Sequence, residues 1–142
     1  MTFQSISIFR DKCLLNGKWC DSKEKMPVYN PSSQKVIAQV PSMGASETKQ
    51  AIRDATQAFS TWKQTSPMHR AKLLSEWHRL ILDAKSSLAY IMSVEQGKPL
   101  AEASAEIDYA ASYVLWFAEE AMRVQGEVLS SANPHQRLIV TR

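Results

Sequence analysis

Glycine is scarce: Gly17, Gly44, Gly97 and Gly126 are the four in 142 residues, and all are isolated. Neither a G-x-G-x-x-G turn nor a Walker loop can be written anywhere in the chain, which excludes a complete nucleotide-phosphate cradle of either kind. Cysteine is scarcer still, with only Cys13 and Cys20. Their separation is not a zinc-ligand spacing, and a lone pair without a secretion signal reads as reduced thiols rather than a structural disulfide. No stretch reaches the roughly 18 uninterrupted apolar residues of a membrane-crossing helix, and Met1 to Arg10 has no apolar run followed by a small-residue cleavage site. A soluble, cytoplasmic chain without membrane attachment is expected. An excess of one charge is also missing: seventeen Lys and Arg against fourteen Asp and Glu leave a formal +3. Lys23, Lys25, Lys35, Lys49, Arg70, Lys72 and Arg79 are scattered among acids, so no basic stripe exists to neutralise consecutive phosphates and no nucleic-acid partner is expected.

What is present has globular proportions, with 44% hydrophobic and 22% charged residues, and a length that suits one domain. The first forty-odd residues read as strands and turns. Asn16-Gly17 between Leu14-Leu15 and Lys18-Trp19-Cys20 is the strongest short-range hairpin signal. Met26 to Tyr29 is a short extended piece, Asn30-Pro31-Ser32-Ser33 a turn, and Val36 to Val40 a strand ended by Pro41. Together they predict a small antiparallel β-meander.

From Ser46 the apolar period changes from two to about 3.6 residues. Ser46 is the expected N-cap of a first helix, with Ile52, Ala55, Phe59 and Trp62 on its buried face and an end near Thr65. Ser66-Pro67 starts a second helix, with an apolar stripe of Leu74, Trp77, Ile81, Ala84, Leu88, Ile91 and Met92, a division at Ser86-Ser87 and a stop at Gly97-Lys98-Pro99. A third runs from about Leu100, carries Ile107, Ala110, Ala111, Val114, Leu115, Ala118 and Met122 inward, and takes Gly126 as its cap. A loop through Ser130-Ser131-Ala132-Asn133-Pro134 leads to a terminal strand, Arg137 to Arg142, with no partner downstream. Taken alone the segment is α+β: an N-terminal meander, three long helices and a terminal strand.

No catalytic constellation is complete. His69, His78 and His135 lack a metal-ligand spacing, and His69 and His78 read as surface or satisfied polar residues rather than ligands or bases. Cys13 and Cys20, on a small hairpin without a matched base, read as structural or surface thiols rather than nucleophiles. Glu102 and Glu106 share a helix face, as paired acid/base groups or metal ligands would. One helix supplies at most half of such a site, so a solvated acidic face, partly paired with Lys98 and Arg123, is preferred. The aromatic set Trp77, Tyr109, Tyr113, Trp116 and Phe117 has helical spacing, which favours packing over base stacking. Trp116 and Phe117 point about 100° apart, so at least one of them faces outward.

Leu15-Asn16-Gly17-Lys18-Trp19, Val28-Tyr29-Asn30-Pro31, Val36 to Pro41, and Ala51-Ile52 through Ala58-Phe59 to Trp62 resemble the start of the aldehyde dehydrogenase superfamily. Glu95-Gln96-Gly97-Lys98-Pro99-Leu100-Ala101-Glu102-Ala103, with Glu106-Ile107, Tyr109-Ala110 and Trp116 to Ala121, looks most like its succinate-semialdehyde dehydrogenase branch. The resemblance runs from about Leu14 to Arg142. It implies the N-terminal part of a larger α/β fold: residues 1–126 as the beginning of a cofactor-binding domain (strands 13–41, helices 46–126) and 127–142 as the start of an oligomerisation-domain strand. It also implies that NAD or NADP, the cysteine nucleophile, the glutamate base and the oxyanion-hole asparagine all belong to chain beyond Arg142. No catalytic or cofactor-binding residue is then expected here, no cofactor is expected to bind this chain alone, and the chain by itself is expected to be inactive.

Two residues carry over from the resemblance. Glu95 matches an acidic position that helps hold a structural monovalent cation with backbone from Val28-Tyr29, against the plain reading of a helix-end carboxylate. Tyr109 matches a position lining the substrate entrance, against a core or interface aromatic. The implied partners are the remaining dehydrogenase chain or the subunits of a homo-oligomer, and a small aldehyde substrate. The competing readings are a non-enzymatic interaction module or decayed gene product that docks onto a partner subunit, and an independent α+β enzyme with nothing positive in its favour.

Overall fold

A computed structural model describes residues 6–141, and everything below concerns those residues. The Asn16-Gly17 turn forms as expected, with φ of 48° and 72°, the pair of positive values that a two-residue hairpin turn matching strand twist demands. It joins β1 (Cys13–Leu15) to β2 (Lys18–Cys20). β3 (Lys25–Tyr29) pairs with β4 (Val36–Pro41) around a turn in which the Asn30 side-chain oxygen accepts from the backbone N–H groups of Ser32 and Ser33 at 2.9 and 3.0 Å. The expected single meander is instead two separate two-stranded sheets. Between them the chain turns tightly at Asp21 to Lys25, where Asp21 accepts from Ser22 N–H and pairs with Lys25. Pro27 in mid-β3 has no N–H to offer a further strand, which confines β3 to an edge.

Four helices follow rather than three. α1 (Ala45–Trp62) is capped at Gly44, two residues before the expected Ser46. The Ser46 hydroxyl donates to the Glu47 carboxylate at 2.8 Å, and that carboxylate accepts the Gly44 N–H at 3.0 Å. These contacts hold the Glu47 carboxyl below its usual range, the Ser46 hydroxyl foremost and the helix-start amides after it. Beyond Trp62 the chain closes in tight turns, with Thr65 N–H donating to the Trp62 carbonyl at 3.0 Å.

α2 (Pro67–Asp83) has Ser66 as its N-cap, whose hydroxyl accepts from His69 N–H at 3.2 Å. It breaks from α3 (Lys85–Gln96) at Ala84, where φ −91° and ψ 2° leave the helical region. The division therefore falls two residues before Ser86-Ser87. Its effect is to let α2 and α3 lie separately against α4 (Leu100–Ala121), which packs extensively on both while they barely touch each other.

Gly97 ends α3 in the left-handed region at φ 74°, and a Cβ there would stand 2.8 Å from the Pro31 ring. Gly97→Ala is accordingly expected to cost about 1–2 kcal/mol from the left-handed backbone alone, with the Pro31 clash added. Adding Pro31→Ala should recover the steric part only, read as two urea midpoints.

α4 stops at Ala121, five residues short of the expected cap at Gly126. Gly126 instead sits against the Val140 carbonyl, at the mouth of a hairpin joining β5 (Glu127–Ser130) to β6 (Arg137–Val140). The terminal strand thus has an upstream partner to which the sequence reading gave no strand, and every residue of both strands is exposed. Arg142, the last residue of the expected strand, lies outside the described residues, as do positions 1–5.

Apart from Ile6 and Ile107, the buried core residues are alanines. Ala89, Ala103 and Ile107 join α3 to α4, with Ile81, Leu88 and Met92 packed around them. Ile6 and Ala38 bury under Phe9, Val28, Ile37, Tyr90, Ile91 and Val94, which seats the β3–β4 hairpin on the other face of α3. Small side chains let helices approach closely, which brings many atoms into contact. The expected inner face of α1 is not buried: Ile52 and Phe59 are 62% and 59% exposed. Trp77 on α2, Ala110 and Leu115 on α4, and Met122 just past its end also face outward.

Candidate functional site

The strongest chemical feature lies on the outer face of α4. Tyr109 and Tyr113, one turn apart, meet edge to face with ring centroids 4.9 Å apart at 86°, and their hydroxyls share a hydrogen bond of 2.6 Å. With Ser112, Trp116 and Phe117 they line an apolar depression of about 350 Å³. Hydrogen bonding to Tyr109 raises the Tyr113 pKa above the ordinary phenol value. Trp116 and Phe117 are both largely exposed. The result is an aromatic ledge with a polar pair at one end, suited to a small ligand that is mostly apolar and ends in an acceptor. The sequence names both tyrosines in one aromatic set read as packing and gives a site role to Tyr109 alone, whereas here both rings are largely exposed. The four-residue spacing was the available signal.

Glu95 sits at the end of α3, where Gly97 abuts Pro31 of the β3–β4 turn. Partial burial pushes its carboxyl above the usual range, although more than a third of the residue stays exposed. Because the folded-state pKa is the higher one, the charged form costs stability at neutral pH, and the cost fades as pH falls through the carboxylate range. Glu95→Gln should therefore raise the unfolding midpoint slightly at neutral pH and leave it unchanged well below that range. A pH-independent gain would place the cause elsewhere.

The other candidates are spoken for locally. His78 Nδ1 lies 3.0 Å from the Ala111 carbonyl, tying α2 to α4 as a satisfied polar residue. His69 makes an edge contact with Trp62. Glu106 pairs with Lys98 and Glu120 with Arg123, while Asp108 pairs with Lys85 at 2.6 Å, so the acids of α4 are a solvated, partly paired face. Among the described residues no group of three or more His, Cys, Asp or Glu converges as metal ligands would. No helix among them is long and apolar enough to cross a membrane.

The fold and the sequence define one class of protein. Residues 19–142 match the aldehyde dehydrogenase family, and the chain belongs to that family. It is 44% identical over 144 aligned positions to the succinate semialdehyde dehydrogenase of Acinetobacter baylyi and 40% identical to the NADP(+) succinate-semialdehyde dehydrogenase of Escherichia coli, covering all of this chain in both cases. It spans 30% of the length of those relatives. A crystal structure of an aldehyde dehydrogenase from Brucella melitensis biovar abortus superposes on 99% of this chain and 30% of its own, with a TM-score of 0.92 at 40% identity.

A nicotinamide dinucleotide needs closely spaced glycines where its pyrophosphate meets backbone. The glycines here stand singly in the β1–β2 turn, at the start of α1, at the end of α3 and beside Val140. These residues do not fit that group, and no step of its chemistry is assigned to them.

Proposed function

We propose that this chain is the N-terminal portion of an NAD(P)-dependent aldehyde dehydrogenase that oxidises succinate semialdehyde to succinate in the cytoplasm, and that the 142 residues alone are inactive. The observation that carries the reading is the 44% identity with a succinate semialdehyde dehydrogenase across the whole chain. A glutarate-semialdehyde dehydrogenase of Pseudomonas putida is 40% identical over the same length, so the supported substrate class is a short aldehyde with a distal carboxylate. On this reading residues 1–126 begin the cofactor-binding domain and 127–142 begin a strand of the oligomerisation domain, which suits the wholly exposed β5–β6 hairpin. Tyr109 would line the substrate entrance, which the aromatic ledge around it supports. Glu95 would face a structural monovalent cation, a role its raised pKa makes testable, since a bound cation would pull that pKa down.

The purified chain, given succinate semialdehyde with NAD+ or NADP+, should reduce no nicotinamide above a protein-free control. Steady production that scales with the chain would sink the inactivity claim. A longer polypeptide carrying this segment should turn over succinate semialdehyde with a kcat/KM more than about tenfold above that for a neutral aldehyde of equal length. Equal rates would remove the proposed substrate class.

The uncovered apolar face of α1 favours a second reading, a non-enzymatic module that docks on a dehydrogenase subunit. Mixed with the full-length enzyme, the chain would then give a defined mixed oligomer by light scattering. Non-specific aggregates alone would count against it.

A further inference from the structure

The dehydrogenase reading gives Cys13 and Cys20 no role, yet the fold sets them face to face. The Asn16-Gly17 turn pins the β1–β2 register symmetrically about itself: Leu15 faces Lys18, Leu14 faces Trp19, and Cys13 faces Cys20. Directly opposed residues of an antiparallel pair project from the same face of the ribbon, with Cα atoms about 4.5–5.5 Å apart. Disulfides span Cα separations of about 4.4–6.8 Å, so the opposed pair lies within bridging range. Both thiols are free and half-buried. They share their face with half-buried Leu15, while Leu14 and Trp19 point to solvent on the other. The Cys20 thiol has only a weak local partner, the Lys18 carbonyl at 3.6 Å. It lines an open depression of about 600 Å³ beside the start of α1, wide enough to admit a small oxidant.

We propose that Cys13 and Cys20 are a reversible dithiol–disulfide pair across the β1–β2 hairpin, oxidised by a low-molecular-weight disulfide of the glutathione class. The Cys20 thiolate attacks one sulfur of the oxidant, forms a mixed disulfide and releases the first small thiol. The Cys13 thiolate then attacks the Cys20 sulfur, closing the internal bond and releasing the second. Two protein thiols lose two protons and two electrons, and one oxidant disulfide becomes two thiols. Exposure of the hairpin keeps the bond reducible by the same small thiol. The hairpin lies beside α1, where Leu15, Asn16 and Gly17 line a depression shared with Ala51 and Ala55. None of this depends on the proposed dehydrogenase activity.

The test equilibrates the 142-residue chain in glutathione buffers of graded oxidation, traps free thiols by alkylation and reads the digest by mass spectrometry. The expected product is a monomer two hydrogens lighter, with the Cys13 and Cys20 peptides linked. Its equilibrium constant should not depend on protein concentration and should exceed that in denaturing urea by at least about tenfold, because the hairpin pre-positions the thiols. Replacing both Asn16 and Gly17 with alanine removes the turn but leaves the helical core, checked by circular dichroism. This variant should bring the constant close to the denatured value. Glutathione capping each cysteine separately, disulfide-linked dimers, or equal constants in the folded chain, the turn variant and urea would each overturn the pairing.

Discussion

Replacing Ile107 with alanine is expected to lower the unfolding free energy by about 2–5 kcal/mol. Ile107 is 6% exposed and is the one large side chain among the buried residues of the helices, the others being alanines at 89, 103, 111 and 118. It lies where α4 meets α3, with Ile81, Leu88 and Met92 packed around the cluster. Alanine would leave a cavity ringed by side chains fixed on rigid helices, which relax only in part. Domains are stable by only about 5–15 kcal/mol, so the loss is a large share of the total. Urea unfolding should show a lower midpoint at unchanged slope. Ile52→Ala is the control: its side chain is 62% exposed on α1, and the change should stay within about 0.5 kcal/mol. A loss at Ile107 no larger than that of the control would mean that the α3–α4 contact is not part of the cooperative core.

The second large effect has the opposite steric sense. Ala111 is fully buried on α4, and its carbonyl meets His78 Nδ1 of α2 at 3.0 Å. Ala111→Leu forces extra volume into the most extensive helix contact in the chain, at an expected cost of about 1–3 kcal/mol. The same displacement parts His78 from the carbonyl. His78→Ala alone should cost about 1 kcal/mol, the typical net value of such a bond. In the double variant the losses should fall short of their sum, because the bond is already broken by the leucine. Full additivity in the unfolding midpoints would show that the histidine bond survives the overpacking.

Much of this was legible locally. The Asn16-Gly17 turn, the Ser66-Pro67 helix start and the Gly97 helix end depend on backbone preferences of single residues, so the sequence reading and the structure agree there. Local reading failed where two local solutions compete. Ser46 is a good cap by type, but Glu47 takes its hydroxyl and Gly44 takes the cap position. Ala84 has a strong helical preference, yet the chain breaks there so that α2 and α3 can each reach α4. β5 went unread because four exposed residues beside a serine-rich turn carry little pattern of their own. Their pairing with β6 makes them a strand.

The candidate site divides in the same way. Tyr109 was visible as a residue, but the ledge exists because a helix places Tyr113, Trp116 and Phe117 on its flank. The facing cysteines were implicit in a turn whose centre lies midway between them. They emerged only once the strands paired.

By itself the sequence determined the order and type of the elements other than β5, the Asn16-Gly17 turn, the Ser66 and Gly97 caps, and membership of the aldehyde dehydrogenase family. These follow from spacings of a few residues and from runs of identity that need no three-dimensional context. Only the tertiary structure decided which faces are buried. Hydrophobic periodicity marks Ile52, Phe59 and Trp62 on α1 as strongly as any core, yet they stand in solvent, while the alanines of α4 form the centre. An apolar stripe records that a helix face is suited to burial. Whether it is buried depends on how closely another element can approach, and here α4, with its small residues, admits α2 and α3.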